Sequence, residues 1–493
     1  MTTIRTARAT HKFPQIVGPF INNKFQASVA AKPVSRPLYN PCNEELLVEL
    51  PEGGPEDVDL AVQAARKALE GPWKDFSGKK KRNVLLEIAA TIEKNMEDLT
   101  ALEAACGKPY LEAKFDIEDS IDCLRYFAGH ADKLSGRAFA TENGIKSYTL
   151  RKPVGVCGLI TSFNYPLLLA IWKVAPALAC GNTIVLKPAH QTPLSSLLLG
   201  DLIAKNTSLP EGVLNVVPGG AEVGQAIVAH PGVNKCSFTG SGAVGRKVMA
   251  GIAATGLKGL TLELGGKSPL IVFKDANMDR TVEDVFGAIF SNMGQNCCAG
   301  SRLYLEQGIE HEFLAKLKAR IAQVEIGSSL DERYDYGAMV DRAHFERVMG
   351  FLNDAKARNA PELFVGGGRH GDKGYFIQPT VFVNVPEDDR LAREEIFGPV
   401  LCVMKPFTSI DEVIQRANAT PYGLASGVFT SDLGKAEKMV QALDSGVTWV
   451  NTYNSCSVHL PFGGVKESGI GKDLGAEALD EYTTVKAVTM RID

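Results

Sequence analysis

Two adjacent cysteines, Cys297 and Cys298, sit in the stretch FSNMGQNCCAGSR, residues 290–302. Neither has the CxxC spacing of a zinc knuckle or a thioredoxin-type pair, so no metal site is expected there. A cysteine in a loop this dense in small residues can attack a carbonyl instead, because backbone N–H groups can approach the bound group. The chemistry needs thiolate character, an oxyanion site and something to activate the next nucleophile. Taken alone, either cysteine could equally be a small buried apolar residue. A second stretch, FTGSGAVGRKVM, places Gly240, Gly242 and Gly245 as GxGxxG between a strand and a helix, the setting of a dinucleotide fingerprint. By itself that pattern could also be a plain helix entry. An acid about twenty residues further on should bind a ribose, and Glu263 stands near that place. Its strand is the fourth of its series, however, and LELGG puts Glu263 before two glycines at a domain junction. That position suits a catalytic base better than a ribose clamp.

These residues must be positioned by a chain of 493 residues, too long for one ordinary core, so two or three domains are expected. Apolar residues at 45% and charged residues at 22% describe a compact globular protein. A net charge of −4 with no dense basic run argues against nucleic acid or an anionic membrane as partner. Apolar runs such as YPLLLAIW (165–172) are too short to span a bilayer. Ten scattered cysteines suit a reducing compartment with free thiols. The opening MTTIRTARATHK is basic and weakly resembles a mitochondrial presequence. Because QIVGPFINNKF (15–25) already reads as strand, turn and strand, a cytoplasmic location is favoured.

Residues 56–133 carry helical periodicity, and SGRAFATENGIKSYTLRKP reads as an extended hairpin. From 154 onward VGVCGLIT, TIVLKP, GVLNVVP and KCSFTG are short apolar strands separated by helical segments, which predicts parallel βαβ units in a doubly wound sheet. A second α/β series follows LTLELGGKSPLIVF. It has helices over 279–294, 309–323, 342–359 and 409–418 and strands in RLYLEQG, YFIQPTVFVNV, GPVLCVMKPF and SGVTWVN. The chain ends in a further strand.

FTGS, LELGGKSP, GQNCCAGSR, EEIFGPV and PFGGVKESG occur in this order, and together they resemble the aldehyde dehydrogenase superfamily, with similarity over about 15–490. The resemblance implies an α/β fold of two doubly wound parallel-sheet domains plus a β oligomerisation hairpin. It implies a dinucleotide-binding domain over 1–133 and 154–262, a catalytic domain over 263–465, and an oligomerisation element over 134–153 and 475–493. The family's G-[QE]-x-C pattern selects Cys297 as nucleophile and leaves Cys298 as a neighbour. Asn164, in SFNYP, would hold the oxyanion with the Cys297 backbone N–H, and Glu263 would activate water against the thioester. Most relatives have Pro-Trp before this asparagine; Ser162-Phe163 departs from that. For the cofactor, the resemblance implies Lys187 on ribose hydroxyls, Glu395 on the nicotinamide ribose and Phe397 beside the nicotinamide. Ser241 would meet the pyrophosphate at a helix N-terminus, and Gly240, Gly245 and Leu264 are further expected cofactor-binding residues. The resemblance implies NAD as cofactor. His190 stands where strictly NAD-selective relatives commonly have Glu, so NADP is expected to be used too, better as pH falls toward 6.5.

SFNYPLLLAIWKVAPALACGNT and NTYNSCSVHLPFGG are similar to the betaine-aldehyde and aminoaldehyde dehydrogenases. That implies Tyr165, Trp172, Ser291, Cys298 and Phe462 in the substrate tunnel, with rings to hold a cationic head. Ser291 falls where plant members carry tryptophan, so the cage is incomplete. The other readings are a broad-specificity aliphatic or aromatic aldehyde dehydrogenase, a coenzyme-A acylating enzyme, which Glu263 opposes, and a non-catalytic structural relative. A homodimer or homotetramer acting on a small aldehyde is expected.

Overall fold

The runs VCGLI, TIVLK and KCSFT form strands Val156–Ile160, Thr183–Lys187 and Lys235–Thr239, with every residue buried. Covered on both faces, such strands need no polar alternation. The computed structural model describes residues 2–5, 10–358 and 361–492. Met1 and residues 6–9, part of the arm weighed above as a targeting segment, lie outside the described residues.

The first sheet has eight strands. Across it run Gly469–Ile470, Gly259–Glu263, Lys235–Thr239, Val156–Ile160, Thr183–Lys187, Leu214–Val216, Phe20–Ile21 and Lys24–Phe25. The five middle strands are parallel, and the pairings to Gly469–Ile470 and Phe20–Ile21 are antiparallel. Thr239 pairs with Glu263, and Ile160 with Lys187, so the carboxyl ends of four strands form one rim. Ligands gather at such a rim in a doubly wound sheet. Between strands Val156–Ile160 and Thr183–Lys187 runs helix Pro166–Ala179, buried along its whole length. An apolar run with no polar face belongs in such a position.

The second sheet orders Glu362–Val365, Thr380–Val385, Val400–Met404, Arg302–Leu305, Pro269–Val272, Ala425–Phe429 and Val447–Val450, all parallel except its first edge strand. Ala425–Phe429 escapes a sequence reading because Ser426 and Gly427 interrupt its apolar run, yet it lies beside Pro269–Val272 in the interior of the sheet.

Three expectations need correction. The helix expected over 279–294 ends at Phe290. It gives way to a turn in which Asn292 (φ 48°), Met293 (φ 53°) and Gly294 (φ 70°) are left-handed, a conformation no helix continues through. Strand Gly469–Ile470 falls between the expected 263–465 and 475–493 spans and joins the first sheet, opposite Leu262 and Glu263. Lastly, the stretch SGRAFATENGIKSYTLRKP, expected as an extended hairpin, finds its main partner in the final strand. Ile145–Pro153 pairs antiparallel with Thr483–Arg491 along nine residues, from Thr483 opposite Pro153 to Arg491 opposite Ile145. The other arm of the expected hairpin touches Ile145–Pro153 only through isolated bridges such as Ala138 to Tyr148.

Candidate active site

Two cavities meet at one thiol. One, of about 190 Å³, opens along the rim of the first sheet; the other, of about 380 Å³, runs beside helices Tyr110–Ala128 and Pro166–Ala179. Cys297, Glu263 and Thr239 line both. Cys298 lines only the larger one.

The nucleophile loop is pinned by amide side chains. Asn292 Nδ2 donates to the carbonyl of Asn164 (2.8 Å) and to that of Gln295 (3.2 Å), and Gln295 Oε1 accepts from Val340 N (3.0 Å). Buried groups so satisfied overcome the cost of left-handed backbone at Asn292 and Met293, about 1–3 kcal/mol each. A Cβ at Gly294 would stand 2.2 Å from the Gly398 carbonyl oxygen, so only glycine fits there. The loop leaves Cys297 half-buried and Cys298 buried. The Cys298 thiol lies 3.2 Å from Asn296 Oδ1 and 3.4 Å from Asn454 Oδ1, and its carbonyl accepts from Tyr453 Oη at 2.6 Å. Hydrogen bonding to Cys297, reinforced by burial, pushes the Cys298 thiol well above its usual range. Cys298 is therefore held as a thiol, and it is Cys297 that faces both cavities.

Asn164 follows strand Val156–Ile160, is buried, and its Oδ1 has no partner, while the side chain lines the smaller cavity with Cys297. Glu263 ends strand Gly259–Glu263, and both carboxylate oxygens are buried without a partner. Burial first, then nearby Asp473, raises its pKa well above the carboxylate range; Lys173 opposes the shift. Asp473 itself is buried against Lys173, whose Nζ donates to it at 2.7 Å and to Ser237 Oγ at 2.9 Å. Gly463, at φ 152°, forms the wall opposite: a Cβ there would stand 2.4 Å from Glu263 Oε1. An unpartnered acid facing an accessible thiol is a group kept for a proton.

The smaller cavity suits a dinucleotide. Gly240 and Ser241 line it at the N-terminus of helix Gly242–Thr255, where free N–H groups favour a phosphate. The Ser241 hydroxyl caps that helix by accepting from Val244 N. Glu395, Phe397 and Leu264 line the same cavity. Glu395 Oε1 accepts from Gly266 N at 3.0 Å, and burial lifts its pKa to about 7. Gly245 lies elsewhere: a Cβ there would meet the Leu264 side chain at 2.7 Å, so this glycine serves helix–strand packing.

Lys187 and His190 line neither cavity. Lys187 ends its strand and donates to the Pro188 carbonyl at 3.0 Å; burial lowers its pKa to about 8 against the pull of Glu52 and Glu222. The His190 pKa is lowered by burial and then by Arg36 and Lys187. The expected gain of phosphate attraction by His190 near pH 6.5 thus loses its basis. Standing positive charges near it are Lys187 and Arg36, the latter in contact with Glu52.

All five expected substrate residues, Tyr165, Trp172, Ser291, Cys298 and Phe462, line the larger cavity. Trp172 and Phe462 meet edge to face, centroids 5.1 Å apart. One face of Tyr165 is already taken, since Lys108 Nζ stands 3.7 Å from its ring centre. Sequence reasoning missed Asn292, His344, Arg347, Asp119 and Asp473. Asp119 and Asp116 repeat at helical spacing in FDIEDSID, a signal that could have placed both on one helix face.

Among described residues, no group of three or more His, Cys, Asp or Glu is arranged to hold a metal. The sequence pattern of the Aldehyde dehydrogenase family matches residues 29–488. The chain is 45% identical over 486 residues to a protein named retinaldehyde dehydrogenase 3 from Homo sapiens, covering 98% of this chain and 93% of that one. Its structure superposes on the NAD+ complex of an aldehyde dehydrogenase from Bacillus cereus with a TM-score of 0.94 at 40% identity, 97% of each chain being covered. It also superposes on gamma-glutamyl-gamma-aminobutyraldehyde dehydrogenase from Burkholderia cenocepacia, with a TM-score of 0.94 at 38% identity, over 97% of this chain and 98% of that one. A fold, a pair of joined cavities and a pattern over nearly the whole length agree: this chain belongs to the aldehyde dehydrogenase family and is an NAD(P)-dependent aldehyde dehydrogenase with NAD as cofactor.

Proposed function

We propose that the preferred substrate is an aldehyde carrying a cationic nitrogen, an aminoaldehyde or a betaine aldehyde, which leaves as the carboxylic acid. The observation that carries this reading is Asp119 in the larger cavity, an acid not matched, among the described residues, by a neighbouring cation as Asp116 is by Lys108 and Asp473 by Lys173. The cavity's lining includes Glu112, Asp116, Asp119, Glu263 and Asp473 and no Lys, Arg or His. Asp119 sits on helix Tyr110–Ala128, and its pKa is raised to about 6 by burial and then by Asp116, Asp122 and Glu118. A bound cation would relieve that repulsion. Trp172 and Phe462 add an apolar collar, whereas Tyr165, already facing Lys108, contributes less cation attraction than its ring alone suggests.

In the reaction, the Cys297 thiolate adds to the aldehyde carbon, and the oxygen gains charge as the thiohemiacetal forms. The Asn164 amide and the Cys297 N–H are the donors for that charge, each typically worth several kcal/mol because the charge develops only in the transition state. The chemistry NAD supplies when bound is acceptance of the hydride from that carbon, which leaves a thioester on Cys297. Glu395, Phe397, Gly240 and Ser241 would hold it in the smaller cavity, with Lys187 at the adjacent strand end. Glu263 then takes a proton from water, the hydroxide equivalent adds to the thioester carbon, and the acid departs as the thiol re-forms.

NADP is proposed as a second cofactor, since no carboxylate at position 190 repels a 2′-phosphate. A homodimer or homotetramer is proposed through the ribbon Ile145–Pro153 with Thr483–Arg491, which exposes Leu150, Val485 and Met490. A cytoplasmic location is proposed from the free cysteines. Among described residues, no helix is long and apolar enough to cross a membrane.

The test is a substrate panel of betaine aldehyde, aminobutyraldehyde, hexanal and benzaldehyde, with Asp119→Asn beside the wild type. The cationic aldehydes should have the higher kcat/KM, and the variant should raise their KM about tenfold, equivalent to ~1.4 kcal/mol, with hexanal unchanged. Preference for hexanal or benzaldehyde would favour a broad-specificity enzyme. The relative named for retinaldehyde supports that second reading.

A further inference from the structure

The cofactor-side wall contains a strained backbone whose restraint comes from residues outside the family motifs quoted above. Phe397 has φ 59°, in the left-handed region that a bulky side chain rarely adopts. Such a conformation persists only where the surroundings over-determine it. Three consecutive carbonyls at this point are each held by a side chain of helix Arg342–Arg358. Arg347 Nη2 donates to the Glu395 carbonyl at 2.6 Å, and Arg347 Nη1 donates to the Ile396 carbonyl. His344 Nε2 is 2.7 Å from the Phe397 carbonyl, which can only accept.

Sequence explains why one helix can do this. His344 and Arg347 are three apart and so share a face. Asp341 Oδ1 accepts from His344 N at 2.7 Å, fixing the first turn. The His344 ring also joins two elements: its centroid is 5.4 Å from Phe163 and 5.8 Å from Phe397, and Phe163 meets Phe397 edge to face at 5.6 Å. Phe163 immediately precedes Asn164. The three rings therefore tie the Asn164 segment to the Glu395–Phe397 segment, and His344 and Arg347 line the same cavity as both. Burial lowers the His344 pKa to about 4, so at neutral pH the ring is uncharged and its Nε2 proton is committed to the carbonyl.

We propose that His344 and Arg347 are positioning residues: they clamp the Glu395–Phe397 backbone and thereby aim the Glu395 carboxylate and the Phe397 ring into the cofactor cavity. Nothing in this depends on which aldehyde is oxidised. Without the clamp, Phe397 relaxes toward ordinary φ, and the two side chains lose their aim while Cys297 and Glu263, held by other contacts, keep theirs. Misplacement on the order of 1 Å costs about 100-fold in a reaction step that needs alignment.

Three measurements on His344→Ala, Arg347→Ala and His344→Gln test it, with circular dichroism confirming the fold. NAD affinity is read by calorimetry without aldehyde, the NADH burst by stopped flow, and hydrolysis of p-nitrophenyl acetate without cofactor reports Cys297 alone. Each alanine variant should weaken NAD binding about 3- to 10-fold and slow the burst roughly 10- to 100-fold, and a deuterated aldehyde should now slow the reaction more than in the wild type. Ester hydrolysis should fall far less. His344→Gln, which keeps an N–H donor, should recover most of the burst. The proposal is overturned by unchanged NAD affinity and burst in both alanine variants. It is equally overturned by parallel loss of burst and ester hydrolysis, or by a glutamine variant no better than alanine.

Discussion

The two sheets deliver their reactive groups by opposite devices. The first presents them where parallel strands end: Asn164 after Val156–Ile160, Lys187 at the end of Thr183–Lys187, Ser241 after Lys235–Thr239, and Glu263 at the end of Gly259–Glu263. The strand ladder fixes Lys187 and Glu263, while Asn164, beyond its strand's end, is also held through its carbonyl by Asn292. The second delivers Cys297 and Glu395 on loops that lead into strands, before Arg302–Leu305 and Val400–Met404. No ladder fixes them. Left-handed residues, amide side chains and the His344–Arg347 pair do that work instead. The difference teaches that the aim of Cys297, the proposed nucleophile, depends on hydrogen bonds that single substitutions can remove, while the aim of Glu263, the proposed base, depends on a sheet that they cannot.

The strongest break of this comparison is at the thiols. Cys297→Ala should lower dehydrogenase turnover by roughly 10⁴-fold or more, whereas Cys298→Ala should keep most of it. A dead Cys298→Ala would put the reactive register one residue later.

Next comes Glu263→Gln. It should release about one equivalent of NADH per site in a burst and then stall, with steady-state turnover down on the order of 10²–10⁴-fold. In the wild type the sign of the pH effect follows from the raised pKa. Burial raises the carboxyl's pKa well above the carboxylate range, so its base form grows as pH rises, and the steady-state rate should climb with pH while the burst amplitude stays level. A burst and a steady state lost equally in the Gln variant would remove Glu263 from the second half-reaction.

A smaller effect is expected at the substrate collar. Trp172→Ala should raise KM for a trimethylammonium aldehyde more than for hexanal, by the ~0.5–2 kcal/mol of a cation–π contact, about 2- to 30-fold. Equal shifts for both aldehydes would leave only packing.

The finest distinction is cofactor choice. His190→Glu should reduce NADP use more than NAD use, because two like charges a few ångströms apart repel by on the order of 1–4 kcal/mol. With the His190 pKa below its ordinary 6.5, the wild-type NADP/NAD ratio should stay flat from pH 8 to 6.5. A rise within that window would restore the protonated-histidine explanation.

The contrast between the sheets also explains what could be read in advance. Residues 154–263 follow the βαβ rhythm, so the rim residues stand where periodicity and the glycine pattern lead one to look. Cys297 needed the family motif, because nothing in GQNCCAG distinguishes the two thiols until Asn454 is seen engaging the second. The clamp was invisible: His344 and Arg347 look like ordinary polar residues of a surface helix until the carbonyls they hold are known. The Lys108–Tyr165 contact likewise joins segments that no local pattern connects. Gly245 shows the reverse error, a fingerprint glycine whose job is helix packing.

The edge strand Gly469–Ile470 has a consequence for how this protein comes into being. It pairs with Leu262 and Glu263, and its flanks supply Gly463 and Asp473 around the base, yet it is made near the end of a 493-residue chain. During synthesis the N-terminal elements fold first, so the Glu263 strand keeps an open edge until residues 463–473 follow. A chain cut before them would carry the Cys297 thiol with Glu263 unenclosed.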